Sequence, residues 1–236
     1  MIKRKQQQII HPSGEGGFTI IESLVAIILV AILLAAIAPT IVIATATRVQ
    51  SKRVEQATQA ARSFIDGVKT GAVTAPATTT APNGTLAGNL LNPSSTSMPP
   101  PTSSTSTSLY CAIKDTNNNL TISNPDCTSN TSKIFYIQAK TITVATSTPT
   151  DSTGLPKDGY RLGIRVYRSD IDFTKTVYAS NGSDKKTQRT FTGTLGDPQS
   201  PLVEMTTEIG SKNTSFNALC QRLAITGSTT SNSTCN

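Results

Sequence analysis

Hydrophobic and polar positions divide the chain into stretches with different periods. From Leu24 to Ala46 no charged residue occurs, and Leu, Ile, Val and Ala fill almost every position. As a helix this stretch rises about 35 Å at 1.5 Å per residue, enough to cross a hydrocarbon core of about 30 Å. A helix apolar on every face for that length is expected to enter a membrane. From Arg48 the pattern changes. Val54, Ala57, Ala61, Phe64, Ile65 and Val68 recur at spacings of three and four, with Lys52, Glu55, Gln59, Arg62 and Asp66 on other faces. That period predicts an amphipathic helix over 48–69, ending near Gly67 and Gly71, with its stripe packed on a globular domain.

Residues 70–108 carry no charge, and 23 of the 39 are Ser, Thr or Pro, which leaves little apolar surface to bury. Only Leu86, Leu90 and Leu91 offer anything to pack, and Pro99-Pro100-Pro101 opposes regular structure. A long loop is expected, either glycosylated or a plain connector. Residues 109–236 read as β. Ile134-Phe135-Tyr136-Ile137 leads into Thr141-Ile142-Thr143-Val144. Tyr160, Leu162, Ile164 and Val166 alternate with Arg161, Gly163, Arg165 and Tyr167, the pattern of a strand with one face in the core. Val177-Tyr178, Thr190-Phe191-Thr192 and Leu202-Val203-Glu204-Met205 suggest further strands. Asn181-Gly182 and Gly196-Asp197-Pro198 are the turn signals between them. A long helix followed by an antiparallel sheet is an α+β arrangement.

The segment before the apolar stretch settles its class. A secretory signal runs basic, then apolar, then a small-residue cleavage site. Here Lys3-Arg4-Lys5 comes first, but the small residues Gly16-Gly17 precede the apolar stretch. Removing such a leader (1–17) would keep the helix on the product. The basic residues place the leader in the cytoplasm and the C-terminal bulk outside.

Gly17-Phe18-Thr19-Ile20-Ile21-Glu22 followed by this helix resembles the class III leader of type IV pilins and type II secretion pseudopilins. The resemblance implies cleavage by a prepilin peptidase between Gly17 and Phe18, with methylation of the new amine. It implies an assembly helix over 18–47 and a pilin-like fold with a β-rich head outside the cytoplasm. It also implies an inner-membrane location followed by a filament, with other pilins and an inner-membrane assembly platform as partners. Glu22 is costly near a membrane unless it is interfacial or paired. In the family the matching glutamate is thought to meet the first residue of a neighbouring subunit. An internal pair with the Phe18 amine and a plain interfacial anchor are the alternatives. Pro39 removes one helix hydrogen bond, so a kink or local melting is expected there; pilins commonly carry a proline in this region.

The match from Gly17 to Gly71 includes Ala46-Thr47-Arg48-Val49-Gln50 and Gln59-Ala60-Ala61-Arg62-Ser63-Phe64-Ile65-Asp66-Gly67-Val68. These resemble the hormogonium polysaccharide secretion pseudopilins of filamentous cyanobacteria, which implies polysaccharide export and gliding. The alternatives are a minor pilin, a general secretion pseudopilin, and a membrane-anchored binding module.

Composition adds exclusions. The net charge of +7 is not spread evenly, but no segment has the dense basic run of a nucleic-acid arm, so no nucleic acid is expected. The one histidine, His11, lies in the leader, so no His-based nucleophile system or zinc site is expected. No enzyme activity and no cofactor are expected. Cys111, Cys127, Cys220 and Cys235 lie outside the membrane, where disulfides form. Three connectivities are open; local pairing, 111 with 127 and 220 with 235, is the reading adopted. Asp115, Asn117, Asn119 and Asp126 echo a calcium loop, but Leu120 stands where a Gly is required, so a hairpin turn is expected. Asp170 and Asp172 are read as a solvated edge. Arg161, Arg165 and Arg168 offer either a contact for acidic polysaccharide or, more plainly, a solvated strand face. Arg48, Lys52 and Arg53 fall just beyond the apolar stretch, where lipid headgroups lie.

Overall fold

The computed structural model describes residues 17, 19–80, 98–106, 109–117, 119–123, 127, 132–143, 150–181, 184–188, 196–216 and 219. It divides into two compact units, Met1–Thr45 and Ala46–Asn236. One helix, α1 (Ile20–Thr70), runs through the division with Pro39 inside it. No interruption of the helix marks Pro39, so local melting is not seen there. The hydroxyls of Thr40 and Thr45 donate back to the carbonyls of Ile37 (2.7 Å) and Val42 (2.9 Å), which satisfies them within an apolar stretch.

The end of α1 falls where the glycines predict it. Gly71 adopts φ 75°, the left-handed geometry that glycine tolerates without strain. Its N–H donates to the Val68 carbonyl at 3.2 Å, and the Val73 N–H donates to the Gly67 carbonyl at 3.0 Å. Val73 folds back so closely that a Cβ on Gly67 would sit 2.5 Å from the Val73 Cγ2. Any larger residue at 67 would displace this return of the chain.

In the second unit the C-terminal half of α1 lies on a sheet of five antiparallel strands in the order β3-β2-β4-β5-β6. These are β2 (Leu109–Lys114), β3 (Leu120–Ser123), β4 (Lys133–Thr143), β5 (Tyr160–Arg168) and β6 (Val203–Ile209). A short strand β1 (Thr78–Thr80) adds in parallel to the end of β4. This is the α+β, pilin-like architecture expected. The two apolar runs at 134 and 141 belong to one long strand, since β4 continues from Lys133 to Thr143.

The core between helix and sheet joins Ala57, Ala60, Ala61, Phe64 and Val68 to Tyr110, Ile137, Leu162, Ile164 and Val166. Ala57, Ala60 and Ala61 are wholly buried on the side of the helix that meets the sheet, together with Phe64. Its ring meets Tyr110 edge-on with centroids 4.8 Å apart. The Tyr110 hydroxyl in turn donates to the Thr74 carbonyl at 3.0 Å, fastening the chain just after the helix.

The expected one-sided burial of β5 needs correction. Tyr160 through Tyr167 are all buried, so the strand is covered on both faces. Leu109, Cys111, Cys127, Tyr136, Tyr167 and Ile171 form a second apolar cluster on the face away from the helix. Part of that cover is the Ser/Thr/Pro-rich stretch, which was expected to bury little. Met98 is 1% exposed, and β1 is itself a strand in this stretch. Leu86, Leu90 and Leu91 lie outside the described residues. The expected strand at Val177-Tyr178 is a loop. There the Tyr178 N–H donates to the Gln199 carbonyl and the Tyr178 carbonyl accepts the Tyr167 hydroxyl, so both backbone groups are satisfied without a ladder. The strand expected at 190–192 lies outside the described residues.

Candidate functional site

The residues with a predicted role in processing and assembly lie at the start of α1. Gly17 is exposed, with nothing within 4 Å of where a Cβ would sit, so the bond after it is sterically open on that side. Phe18 lies outside the described residues. Thr19 caps the helix: its hydroxyl accepts the Glu22 N–H at 3.2 Å, and its carbonyl accepts the Ser23 N–H at 3.1 Å. The Ser23 hydroxyl donates to the Ile20 carbonyl at 2.8 Å. Glu22 is therefore in the first turn and exposed, where the positive end of the helix dipole favours a carboxylate. Phe18 stands four positions before Glu22 in the sequence, and cleavage after Gly17 would free its amine.

Every large apolar side chain from Ile20 to Ile43 is exposed, from 39% at Ile43 to 86% at Ile20. Among the described residues nothing packs against the most apolar part of the helix. Such a surface is far larger than soluble proteins leave open to water. It is long and apolar enough to cross a bilayer, and lipid tails or neighbouring apolar helices can cover it.

Residues 12–38 match the family model of the prokaryotic N-terminal methylation motif. The motif takes in Gly17, Phe18, Thr19 and Glu22 and stops just before Pro39. It supports processing by a prepilin peptidase and a place among type IV pilins and pseudopilins, with the apolar helix as membrane anchor. The methylation motif covers only the start of the chain, and no curated protein and no solved structure matches the chain.

The head gives a different account of the arginines. Arg161 and Arg165 do not form a solvated face and cannot meet a polysaccharide. In the β5–β6 register Arg161 stands opposite Glu208 and Arg165 opposite Glu204, and each pair forms a salt bridge. Arg165 is wholly buried: its Nε donates to Glu204 at 3.2 Å, and its Nη1 donates to the Met98 carbonyl at 2.6 Å and to Gln138 Oε1 at 3.3 Å. Burial pulls its guanidinium below the usual value, against the opposing pull of Tyr167 and Glu204. Glu204 also accepts the Ser180 N–H at 2.9 Å. One ion pair thus ties β4, β5, β6, the proline-rich strap and the loop before Asn181 together. Arg168, at the end of β5, holds Asp170 with its Nε at 2.8 Å.

The remaining candidates are structural. Cys111 and Cys127 form the expected disulfide, with Cα atoms 5.5 Å apart, while Cys220 and Cys235 lie outside the described residues. Asp115 accepts the N–H groups of Asn117 (2.9 Å) and Asn119 (2.7 Å), closing the β2–β3 hairpin; Asp126 lies outside the described residues. Asp172 accepts the N–H (3.0 Å) and hydroxyl (2.6 Å) of Thr174, which hold its carboxyl below the usual range. Among the described residues no group of three or more His, Cys, Asp or Glu could hold a metal.

Sequence reasoning missed Gln50. It is wholly buried, and its Nε2 donates to Gln188 Oε1 at 2.7 Å. Gln188 donates in turn to the carbonyls of Asp197 (2.5 Å) and Ser200 (3.0 Å), so the segment before β6 is latched to α1. Gly196 sits against the same amide pair with φ 76°; a Cβ there would come 2.5 Å from Gln188 Oε1. The signal was present, because Gln50 continues the stripe of Val54, Ala57 and Ala61 by one turn.

Proposed function

We propose that this chain is a filament subunit of pilin type, cut after Gly17, methylated on the Phe18 amine and assembled through α1. The observation that carries the reading is the methylation motif at 12–38 together with an apolar helix that no described residue covers. Export puts the head outside the cytoplasm. Glu22 pairs with the cationic amine of a neighbouring subunit as the filament grows, and the first turn of α1 presents it for that contact. The head works by binding or mechanically and not as an enzyme. The partners are the prepilin peptidase, other pilins or pseudopilins, and the assembly platform of the inner membrane.

Within that class we assign the chain to polysaccharide secretion and surface gliding, on the resemblance of 46–50 and 59–68 to the hormogonium pseudopilins. A deletion strain tests the assignment when pili are counted and released polysaccharide is measured in the same cells. Reduced polysaccharide and gliding with pili retained is the expected result. Absent pili with normal polysaccharide would make the chain a minor pilin instead. In the same strain Glu22→Ala should insert in the membrane but fail to enter filaments; assembly equal to wild type would defeat the pairing.

A further inference from the structure

One cleft in the second unit is built from groups that neither processing nor assembly uses. It lies beside α1, where β4 begins and β5 ends, with a volume of about 270 Å³. Ile134 and Phe135 give it an apolar side, while Arg53, Gln56, Ser169 and the Arg168–Asp170 pair give it a polar one. Arg53 is the group to explain. Its Nη1 is buried and has no hydrogen-bond partner among the described residues. That atom itself has no surface a ligand could reach, but Arg53 as a whole is half-buried, lines the cleft and has no ion pair among the described residues, so its fixed charge is left for an anion to meet. Asp170, the acid in the cleft, is already engaged by Arg168 through both of its oxygens.

The position along the helix indicates the anion. Arg53 comes six residues after Thr47, the last residue before the first charge, which is about 9 Å of helix rise. The headgroup layer of a bilayer is about 5–7 Å deep on each side, and a long arginine side chain spans the difference. Arg48 and Lys52 precede it, but they are exposed and belong to the helix face turned away from the sheet. They share an open patch along the helix with Thr47, Ser51 and the carboxylate of Glu55, whereas Arg53 lines a cleft that also takes in residues of the sheet.

We propose that this cleft binds the phosphate of an anionic lipid headgroup, with Arg53 as the principal donor, Gln56 and Ser169 as secondary donors, and the Ile134–Phe135 wall against the glycerol portion. Bound lipid would hold the end of the sheet at the membrane surface until the subunit leaves for a filament. The inference rests on α1 lying in a bilayer, and recovery of the chain in nanodiscs checks that part separately.

The test is hydrogen–deuterium exchange of the full chain in nanodiscs of phosphatidylcholine or of phosphatidylcholine with phosphatidylglycerol. Phosphatidylglycerol should slow exchange severalfold at the start of β4 and the end of β5. The protection should be lost in Arg53→Gln and in Gln56→Leu, and kept in Lys52→Gln. Unfolding temperatures in pure phosphatidylcholine, equal to wild type, would show that the variants are folded. Equal loss in Lys52→Gln would mean diffuse surface attraction and overturn the site. Protection by millimolar inorganic phosphate without anionic lipid would overturn the lipid assignment, as would no difference between the two bilayers.

Discussion

Replacing Glu204 by Ala removes one half of a buried ion pair and leaves the other half in place. Arg165 has no exposed side-chain surface and Glu204 has 3%, so water cannot take over from the missing carboxylate. Arg165 would keep the Met98 carbonyl at 2.6 Å and Gln138 at 3.3 Å, both neutral acceptors. Breaking a buried pair from one side costs about 3–5 kcal/mol. The Ser180 N–H, donated to Glu204 at 2.9 Å, would also lose its acceptor, a loss of about 1–3 kcal/mol if it stays dry. The two terms overlap because the loop can relax, so about 4 kcal/mol is expected, a large part of an ordinary domain's stability. The chain has no Trp, so urea unfolding is best followed by far-UV circular dichroism on detergent-solubilised protein. Arg165→Met combined with Glu204→Leu should cost less than Glu204→Ala alone, because no charge is then stranded. A single-variant loss below about 1 kcal/mol, or strict additivity with Arg165→Met, would refute the buried pair and reopen the arginines as a surface site.

Phe64→Ala should lower stability by about 3–5 kcal/mol in the same assay, since the ring is fully buried between α1 and Tyr110. Reducing the Cys111–Cys127 disulfide, which joins residues 16 apart, should cost about 3 kcal/mol of the head's stability; unchanged urea midpoints with and without reductant would count against its structural role. Burial pushes the phenols of Tyr110 and Tyr160 up to about 12. Each stabilises the fold fully below the unfolded value of 10.0, and that contribution is lost as pH rises towards 12, so the urea midpoint should fall across that window. A midpoint flat between pH 10 and 12 would mean these hydroxyls are not held neutral by the fold.

What could be read from sequence was local or periodic. The stripe from Val54 to Val68 follows the helix period, and the structure buries Ala57, Ala61, Phe64 and Val68 with Val54 and Ile65 partly buried beside them. The leader, Gly17 and Glu22 form a contiguous motif that needs no knowledge of the fold. Strand β5 was legible as a strand, but its second buried face was not, because arginine reads as a solvated residue. The partners that bury Arg165 lie 27, 39 and 67 residues away in Gln138, Glu204 and Met98. One clue was available: arginines four apart in β5 face glutamates four apart in β6. Gln50 could have been placed on the buried stripe from its spacing, but its partner could not, since Gln188 is 138 positions away. Among the strap residues, Met98 was overlooked because a composition rich in Ser, Thr and Pro obscured one apolar side chain that packs.

The claim on which the rest depends is that the methylation motif is used, and the mass of the protein isolated from cells containing a prepilin peptidase tests it directly. The account predicts a chain that begins at Phe18, heavier by one methyl group on its amine, with a matching N-terminal peptide. A chain that still begins at Met1 in those cells would contradict it.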